Sequence, residues 1–454
     1  MAFVFYDCET SGLNTRFDQI LHFAAVRTDE CLNEIDAFEM RCRLDRHVLP
    51  HPQALVITRR SLADVYDPRL PSHYELMCEV AALIERWSPA VFVGYNSIGF
   101  DEEILRHSLY RTLHDPYLTI RNGNARGDAL GLSRSAAFFR PGLLVIPAGP
   151  DGRETFTLAA LSEANGHDAS DAHSALADVR ATVALARKIA TGDEGLWSRF
   201  LRFTNGQAVA SVLDDGFPIG VVAFRGNTPR CVVAVSIGHG QDRNARYCVD
   251  LSRLDEIRSK SETELGELLS DREGPVIRVK VKGSPSLCEL WDLPRDALRG
   301  LSEEDYEARA VLVREDPRLG ERLLAMLRAG EGDWPTSEHV EEQLYGGGFL
   351  CRADEGLRDA FHSQAWEERP SLLARLEDPR MRRLGERLVF LERADVMDPQ
   401  RRGLLEAAAR DRLHRPADEV PWCTFGSAEQ VLRDTMPDNS SLAAEYADLR
   451  AAMA

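Results

Sequence analysis

The stretch FVFYDCETSGL at residues 3–13 places two acidic residues in an otherwise apolar run. It predicts a strand from Phe3 to Cys8, followed by a turn at residues 10–12. Asp7 and Glu9 are two positions apart, so in a strand both carboxylates project from one face, which suits joint binding of a divalent cation. Acidic residues are disfavoured inside strands, but a strand end that emerges into solvent gives the same pattern. The pair therefore indicates a metal site only together with further residues.

The residues that follow predict an α/β domain over positions 1–190. A β-rich run completes a hairpin with the first strand, and helical patterns then alternate with a short apolar strand. The predicted elements are the strand 20–28, the helix 74–87, the strand 90–95 and the helices 101–111, 158–165 and 175–190.

Two further domains are predicted downstream. Short β-branched runs separated by Gly, Asn and Pro predict a small, mostly antiparallel β domain at residues 194–347. These runs are 220–224, 231–237, 246–251 and 276–281. Helix-forming stretches rich in Arg and Glu begin near Ser302, and the glycines at 346–348 mark a boundary before a helical domain at residues 350–454.

The composition is that of a folded globular protein of about three domains. The 454 residues are 44% hydrophobic and 28% charged, and no run approaches the ~20 apolar residues of a membrane helix. The N-terminus lacks the features of a signal peptide, so we expect a cytoplasmic protein. Nine cysteines occur without a CxxC pairing, which predicts reduced, mostly buried thiols and neither disulfides nor a zinc site.

The net charge of −18 argues against a nucleic-acid partner, because proteins that bind phosphate usually carry basic surface. Binding depends, however, on the local field over a groove. The segment that carries Arg106, Arg111, Arg121, Arg126 and Arg134 is locally basic. We therefore keep nucleic acid as a possible substrate.

Two more acidic positions fit a site at the end of the first strand. Asp101 follows the apolar strand VFVGYN at residues 91–96 and falls in the first turn of a helix, where the helix dipole alone would also favour it. His173 and Asp178 are five residues apart, about 140° on an α-helix, so they cannot share one helix face. We therefore place His173 in the loop before the helix and Asp178 inside it.

The order DxE, a downstream Asp, and HxxxxD resembles the DEDDh exonuclease superfamily, which has a ribonuclease H-like fold. Within it, the chain resembles the bacterial exonuclease I family. The resemblance is carried by FYDCETSGL, DQILHFAAVRTD, GYNSIGFDEEILRHSLYRTLHDPY, LSEANGHDASDAHSALADVRATVALA and EEQLYGGGF. It covers nearly the whole chain and implies that the β domain is SH3-like and that an α-helical C-terminal domain follows.

The resemblance implies a metal-dependent exonuclease of DNA repair and recombination. Asp7, Glu9, Asp101 and Asp178 would hold two Mg²⁺ ions, with Mn²⁺ as a possible substitute, and His173 would act as general base. The expected reaction is phosphodiester hydrolysis from the 3′ end of single-stranded DNA, which releases 5′-mononucleotides.

The resemblance also implies contacts to the DNA strand. The positions are Glu9, Thr10, Arg106, Tyr117, Arg134 and Thr157. Thr157 stands where the family has an arginine, so a phosphate contact is expected to be lost or supplied by a neighbour such as Arg153. Residues 118–127 replace a tryptophan-rich stretch of the family, which indicates that base stacking is partly exchanged for charge.

The family is also expected to dock the acidic C-terminal tail of single-stranded DNA-binding protein. Arginines between Arg314 and Arg328 are the candidates here, and the chain is expected to be a monomer. Two alternatives stay open: a DEDDh ribonuclease that trims RNA 3′ ends, and a catalytically silent protein that binds single strands. The two extra domains argue against the ribonuclease, and the five filled catalytic positions argue against the silent protein.

Overall fold

A computed structural model describes residues 2–167, 174–271, 273–331 and 336–453. The first sheet has five strands in the order β3-β2-β1-β4-β5. These are β1 (Ala2–Thr10), β2 (Ile20–Thr28), β3 (Glu34–Arg41), β4 (Ala90–Gly94) and β5 (Ala125–Asp128). β2 is antiparallel to β1 and β3, whereas β4 is parallel to β1 and β5. The predicted hairpin is therefore confirmed, and β1 lies at the centre of the sheet.

In the described part of the chain, seven α-helices accompany the first sheet. They are α1 (Pro52–Ile57), α2 (Leu62–Val65), α3 (His73–Trp87), α4 (Asp101–Arg111), α5 (Ala129–Phe139), α6 (Leu158–Ala164) and α7 (Ala175–Gly192). Because side chains alternate along a strand, β1 contributes to a core on each face. Phe3 and Phe5 pack with residues of α5, α6 and α7, whereas Val4 and Tyr6 pack with residues of α3 and α4. The sheet is therefore buried between two helical layers.

The second sheet is antiparallel, as predicted, with the order β10-β6-β7-β8-β9. Its strands are β6 (Ile219–Arg225), β7 (Thr228–Gly238), β8 (Ala245–Asp250), β9 (Val276–Lys280) and β10 (Ser286–Cys288). The surrounding helices are α8 (Glu194–Phe203), α9 (Gly206–Asp214), α10 (Leu254–Ser259), α11 (Glu262–Ser270), α12 (Glu303–Arg314) and α13 (Pro317–Gly330). Val235 and Val249 form a core with Tyr306 of α12 and Leu323 of α13.

The C-terminal part is helical. It consists of α14 (Gln343–Gly346), α15 (Arg352–Phe361), α16 (Arg369–Leu373), α17 (Pro379–Arg393), α18 (Pro399–His414), α19 (Phe425–Asp434) and α20 (Ser440–Ala452). These helices share cores with the helices of the first sheet, since Phe361 packs with Tyr74 and Tyr110, and Tyr446 packs with Leu49. Among the described helices, none is long and apolar enough to cross a membrane.

Candidate active site

Asp7 and Glu9 lie on the part of β1 that extends beyond its pairing with β4. The parallel pairing of β1 with β4 ends at Phe5 and Val93, whereas β1 continues to Thr10. Pairing with β2 holds this extension in place, with Asp7 opposite Ala24. Both carboxylates therefore stand at an open edge of the sheet, on the face that carries Phe5. The same face is covered by α7.

Asp178 reaches this site from the first turn of α7. The helix begins at Ala175, and Val179 and Val183 anchor it on the core beneath the sheet. One carboxylate oxygen each from Asp7, Glu9 and Asp178 lie within 4.8 Å of one another, so these residues could hold a metal ion. The placement of Asp178 inside the helix is confirmed. His173 lies outside the described residues.

Asp101 joins the cluster from the other side of β1. It is the first residue of α4 and only 6% exposed, and its Oδ1 accepts a hydrogen bond from the Cys8 backbone amide at 3.1 Å. The pKa of Asp101 is raised to about 7, mainly by burial and to a smaller extent by the charges of Asp128 and Glu9, against the lowering effect of the Cys8 amide. β1 therefore positions three of the four carboxylates, since its side chains supply Asp7 and Glu9 and its backbone amide at Cys8 binds Asp101.

Among the described residues, the largest charge effects on the pKa values of Asp7 and Asp101 come from other carboxylates. The pKa of Asp7 is raised well above its usual value by burial first, then by the charges of Asp101, Glu9 and Asp178. Such a cluster is costly in its ionised form and gains from a bound cation. Oxygen ligands of this kind suit Mg²⁺, Mn²⁺ or Ca²⁺. The donor set fits the divalent metal that the sequence predicted.

Asp128 is a positioning residue that the sequence reasoning missed. Its carboxylate accepts hydrogen bonds from the backbone amides of Asn96 (3.0 Å) and Ile98 (3.3 Å) and caps α5 through the amide of Leu130 (2.9 Å). It thereby fixes the turn that leads into Asp101, in which Asn96 has a left-handed φ of 61°. An acid between a strand and a helix is the usual signal for an N-cap and could have drawn attention to this position.

Glu102, beside Asp101, is the centre of a buried ionic network. Its Oε1 pairs with Arg106 Nε and Arg126 Nη1, both at 2.9 Å, and accepts a hydrogen bond from the Thr119 hydroxyl at 2.5 Å. The Tyr6 hydroxyl donates to its Oε2 at 2.9 Å. The two guanidinium groups hold the pKa of Glu102 below its usual value although the residue is fully buried. The network ties α4 and β5 to the central strand directly behind the acidic cluster.

The basic surface expected from the arginines is smaller than the sequence indicated. Arg106 and Arg126 are each only 7% exposed because they pair with Glu102. Arg111 donates to the carbonyls of Phe17 (3.1 Å) and Asp18 (2.5 Å). Arg121 pairs with Asp115 at 2.5 Å. The stretch is therefore less basic at the surface than expected, because Arg106 and Arg126 are buried against Glu102 and the exposed Arg121 is paired with Asp115.

Two of the predicted substrate residues share one cavity. Arg106 Nη2 is buried without a hydrogen-bond partner among the described residues, and the guanidinium lies 5.3 Å from the Tyr117 ring centre. Both line a cavity of about 520 Å³ with Tyr345 and Phe349. Phe349 is 86% exposed. The cavity therefore combines a donor group with exposed aromatic rings.

The other predicted contacts lie apart from this cavity. Arg134 lines a separate cavity with Phe156, its guanidinium 5.9 Å from that ring, and donates to the Asn227 side chain at 2.9 Å. Thr10 is buried beside the cluster, and its hydroxyl donates to the Gly12 carbonyl at 2.7 Å. Thr157 is exposed at the start of α6, where its side chain makes no capping hydrogen bond.

Comparisons with known proteins show which family and which solved structures this chain resembles. Residues 4–186 match the exonuclease family described as RNase T. The exodeoxyribonuclease I of Escherichia coli K12 is 30% identical over 455 residues, which cover 95% of this chain and 92% of the relative. The crystal structure of E. coli exonuclease I in complex with a dA16 oligonucleotide has a TM-score of 0.84 at 24% identity, covering 98% of this chain and 97% of that chain. A crystal structure of SSB/exonuclease I in complex with the inhibitor CFAM has a TM-score of 0.82 at 24% identity, covering 100% and 99%.

Proposed function

The chain belongs to the exodeoxyribonuclease I family, and we propose that it degrades single-stranded DNA from the 3′ end to 5′-mononucleotides, acting in DNA repair and recombination in the cytoplasm. The observation that carries this function is the convergence of Asp7, Glu9 and Asp178 within 4.8 Å, with Asp101 held beside them by the Cys8 amide. The E. coli homologue of the same fold was crystallised with an oligonucleotide, which favours DNA over RNA as the substrate.

The four carboxylates are proposed to hold two Mg²⁺ ions, with Mn²⁺ as a possible substitute. Two divalent ions would balance the four negative charges of the cluster, in which burial and the charges of Asp101, Glu9 and Asp178 raise the pKa of Asp7. When bound, such ions activate a water molecule and stabilise the leaving 3′ oxygen in an in-line displacement. The protein holds the ligands rigidly, because Asp7 and Glu9 are on a central strand and Asp101 and Asp178 begin packed helices.

His173 is proposed to accept the proton of the attacking water. An imidazole has an unperturbed pKa of ~6.5, so it can take this proton near neutral pH. In the sequence His173 precedes by two residues the start of α7 at Ala175, the helix that carries Asp178.

The cavity of Arg106 and Tyr117 is proposed as part of the path of the DNA strand. The free Nη2 of Arg106 can donate to a phosphate, and Tyr117, Tyr345 and Phe349 offer ring faces on which bases can stack. Pairing with Glu102 holds the Arg106 guanidinium in place, so little side-chain entropy is lost when a phosphate binds.

Glu9, Thr10, Arg134 and Thr157 are proposed as further contacts to the strand. Glu9 and Thr10 lie at the carboxylate cluster, where the terminal nucleotide must sit for its phosphate to react. Arg134 lies in a separate cavity and so would contact the strand farther from the reacting end. Thr157 can offer only a hydroxyl where the family has an arginine, so this contact should be weak.

The remaining domains are proposed to be an SH3-like domain at residues 194–347 and a helical domain at residues 350–454, after the exonuclease domain at residues 1–190. The five-stranded antiparallel second sheet supports the SH3-like assignment. We further propose a monomer that docks the tail of single-stranded DNA-binding protein, because an SSB/exonuclease I structure shares this fold. Arg314 stacks 5.4 Å from the exposed ring of Phe217 and is the candidate for contact with an acidic, apolar tail.

The proposed function is tested by incubating the purified protein and Mg²⁺ with labelled single-stranded DNA, single-stranded RNA and duplex DNA of the same sequence. We expect mononucleotides from the single-stranded DNA and much slower reaction of the other two. An Asp178→Ala variant should be inactive but still folded. Degradation of RNA but not DNA would favour the ribonuclease alternative, and binding of single strands without any cleavage would favour the silent protein.

A further inference from the structure

A second group of candidate metal ligands lies between the helices of the first sheet and the C-terminal helices. It consists of Cys78 on α3, His114 just after α4 and His362 just after α15, and one ligand atom from each lies within 4.8 Å of the others. All three residues are half-buried. The cysteine spacing predicted no zinc site, because these ligands come from segments far apart in the sequence.

Hydrogen bonds fix the proton on the His362 ring. Its Nε2 lies 2.9 Å from the Leu113 carbonyl, which can only accept, so Nε2 carries the proton and Nδ1 carries a lone pair. The Tyr74 hydroxyl lies 3.0 Å from this Nδ1, and its oxygen accepts from Arg369 Nη1 at 3.0 Å. The Tyr74 hydroxyl also hydrogen-bonds with the Cys78 thiol, so its proton can go to His362 Nδ1 or to Cys78 Sγ, which are both candidate ligand atoms.

The His114 ring is fixed in a similar way. Its Nδ1 lies 3.0 Å from the Thr112 hydroxyl oxygen, and that hydroxyl donates its own proton to the Ser108 carbonyl at 2.8 Å. Thr112 must therefore accept from His114 Nδ1, which leaves the lone pair on Nε2. Metal-binding histidines usually have this arrangement, with the second ring nitrogen donating to a fixed protein acceptor.

The surroundings favour a cation. A cavity of about 540 Å³ borders the three residues and is lined by four carboxylates and two guanidinium groups. Arg121 pairs with Asp115 at 2.5 Å and Arg358 pairs with Asp359 at 2.8 Å, so each positive charge is compensated in part. Arg358 still adds to burial in lowering the pKa values of His114 and His362. Glu85 and Glu355 remain to offset a cation or to act with water as a fourth ligand.

We propose that Cys78, His114 and His362 bind one Zn²⁺ ion that links the exonuclease region to the C-terminal helices. Thiolate and imidazole are preferred zinc ligands, whereas Mg²⁺ prefers oxygen. Binding replaces the Cys78 S–H bond with a metal–sulfur bond and releases the proton to solvent. The two imidazoles stack with centroids 3.9 Å apart. To bind one ion they would turn out of the stack, so that their lone pairs point at the ion with bonds of ~2.0–2.1 Å.

Cobalt provides a direct test, because a thiolate bound to Co²⁺ gives a charge-transfer absorption band that carboxylate ligands do not give. The full-length protein is stripped with a chelator, supplied with excess Mg²⁺ to fill the carboxylate cluster, and titrated with Co²⁺. We expect the band to saturate at one equivalent and to be lost when Zn²⁺ is added. We also expect Zn²⁺ to raise the Tm of the full-length protein.

Variants distinguish this site from adventitious binding. Cys78→Ser should abolish the band, and His362→Ala should weaken Zn²⁺ binding by at least about tenfold. Cys31→Ala is the matched control, since Cys31 is exposed and lies outside the cluster, and it should keep the band. Absence of the band from the wild-type protein, or its persistence in Cys78→Ser, would overturn the proposal and leave a metal-free histidine stack. Neither outcome depends on nuclease activity.

Discussion

Asp178→Asn should stabilise the metal-free protein while it abolishes activity. The carboxylates of Asp7, Glu9 and Asp178 lie within 4.8 Å of one another. Two full charges at that distance repel by about 3.5 kcal/mol at an effective dielectric of about 20. Bound protons and solvent reduce this repulsion, so we expect the free energy of unfolding to rise by about 2 kcal/mol, or about 2 °C in Tm for a chain of 454 residues.

In the presence of Mg²⁺ the wild type should instead be more stable than the Asp178→Asn variant. A ligand at 100 times its Kd adds about 2.7 kcal/mol per site to the stability of a protein that binds it only when folded. The wild type should gain this stabilisation and the Asp178→Asn variant should lose most of it. Thermal unfolding in chelator and in Mg²⁺ measures both effects, with Asp438→Asn as a control, because Asp438 is exposed between α19 and α20. A variant that is less stable than the wild type in chelator would refute the account of charge repulsion.

Three other perturbations test separate parts of the structure. The rise in Tm that Mg²⁺ causes should grow from pH 5 to pH 8, because protons compete with the metal at Asp7 and Asp101. Both carboxyl groups have raised pKa values, that of Asp101 about 7. A rise that is independent of pH would contradict this. Glu102→Gln should lower the free energy of unfolding, measured in urea, by about 3–5 kcal/mol, since it leaves two buried guanidinium groups without a counter-charge. A loss below about 1 kcal/mol, the size of one hydrogen bond, would show that the network contributes little to stability. Phe349→Ala should weaken single-stranded DNA binding by about 1–3 kcal/mol in fluorescence anisotropy at unchanged Tm; unchanged affinity would remove the exposed ring from the DNA path.

The sequence predicted the centre of the first sheet better than its edges. The strand that carries Asp7 and the helix Asp101–Arg111 were both predicted because buried apolar residues mark them clearly. β3 and β5 were missed, since β3 is an exposed edge strand and β5 reads Ala-Arg-Gly-Asp, with no apolar pattern. β5 is recognisable only through its pairing with β4, which is a contact between distant segments.

The acidic site was predicted, but the roles of the arginines were not. Asp7, Glu9 and Asp178 meet as the family resemblance implied. Strand geometry gives the shared face of Asp7 and Glu9, whereas the position of Asp178 depends on the packing of α7 against the sheet. The partner of Arg106 and Arg126 is Glu102, which in the sequence is one more acid at a helix start. Burial and pairing depend on the packing of β5 against α4, so residue type alone could not separate a buried structural arginine from one that binds phosphate.

Degradation from the 3′ end is tested most directly with a single-stranded oligonucleotide that is labelled at its 3′ end in one reaction and at its 5′ end in another. The measurement is the order in which labelled products appear. We expect Mg²⁺-dependent release of the 3′ label as a mononucleotide from the first turnover. We expect the 5′ label to pass through a ladder of shortening fragments, and both signals to be absent with Asp178→Asn. Early release of the 5′ label, internal cleavage, or undiminished degradation by the variant would contradict a 3′→5′ exonuclease built on this carboxylate cluster.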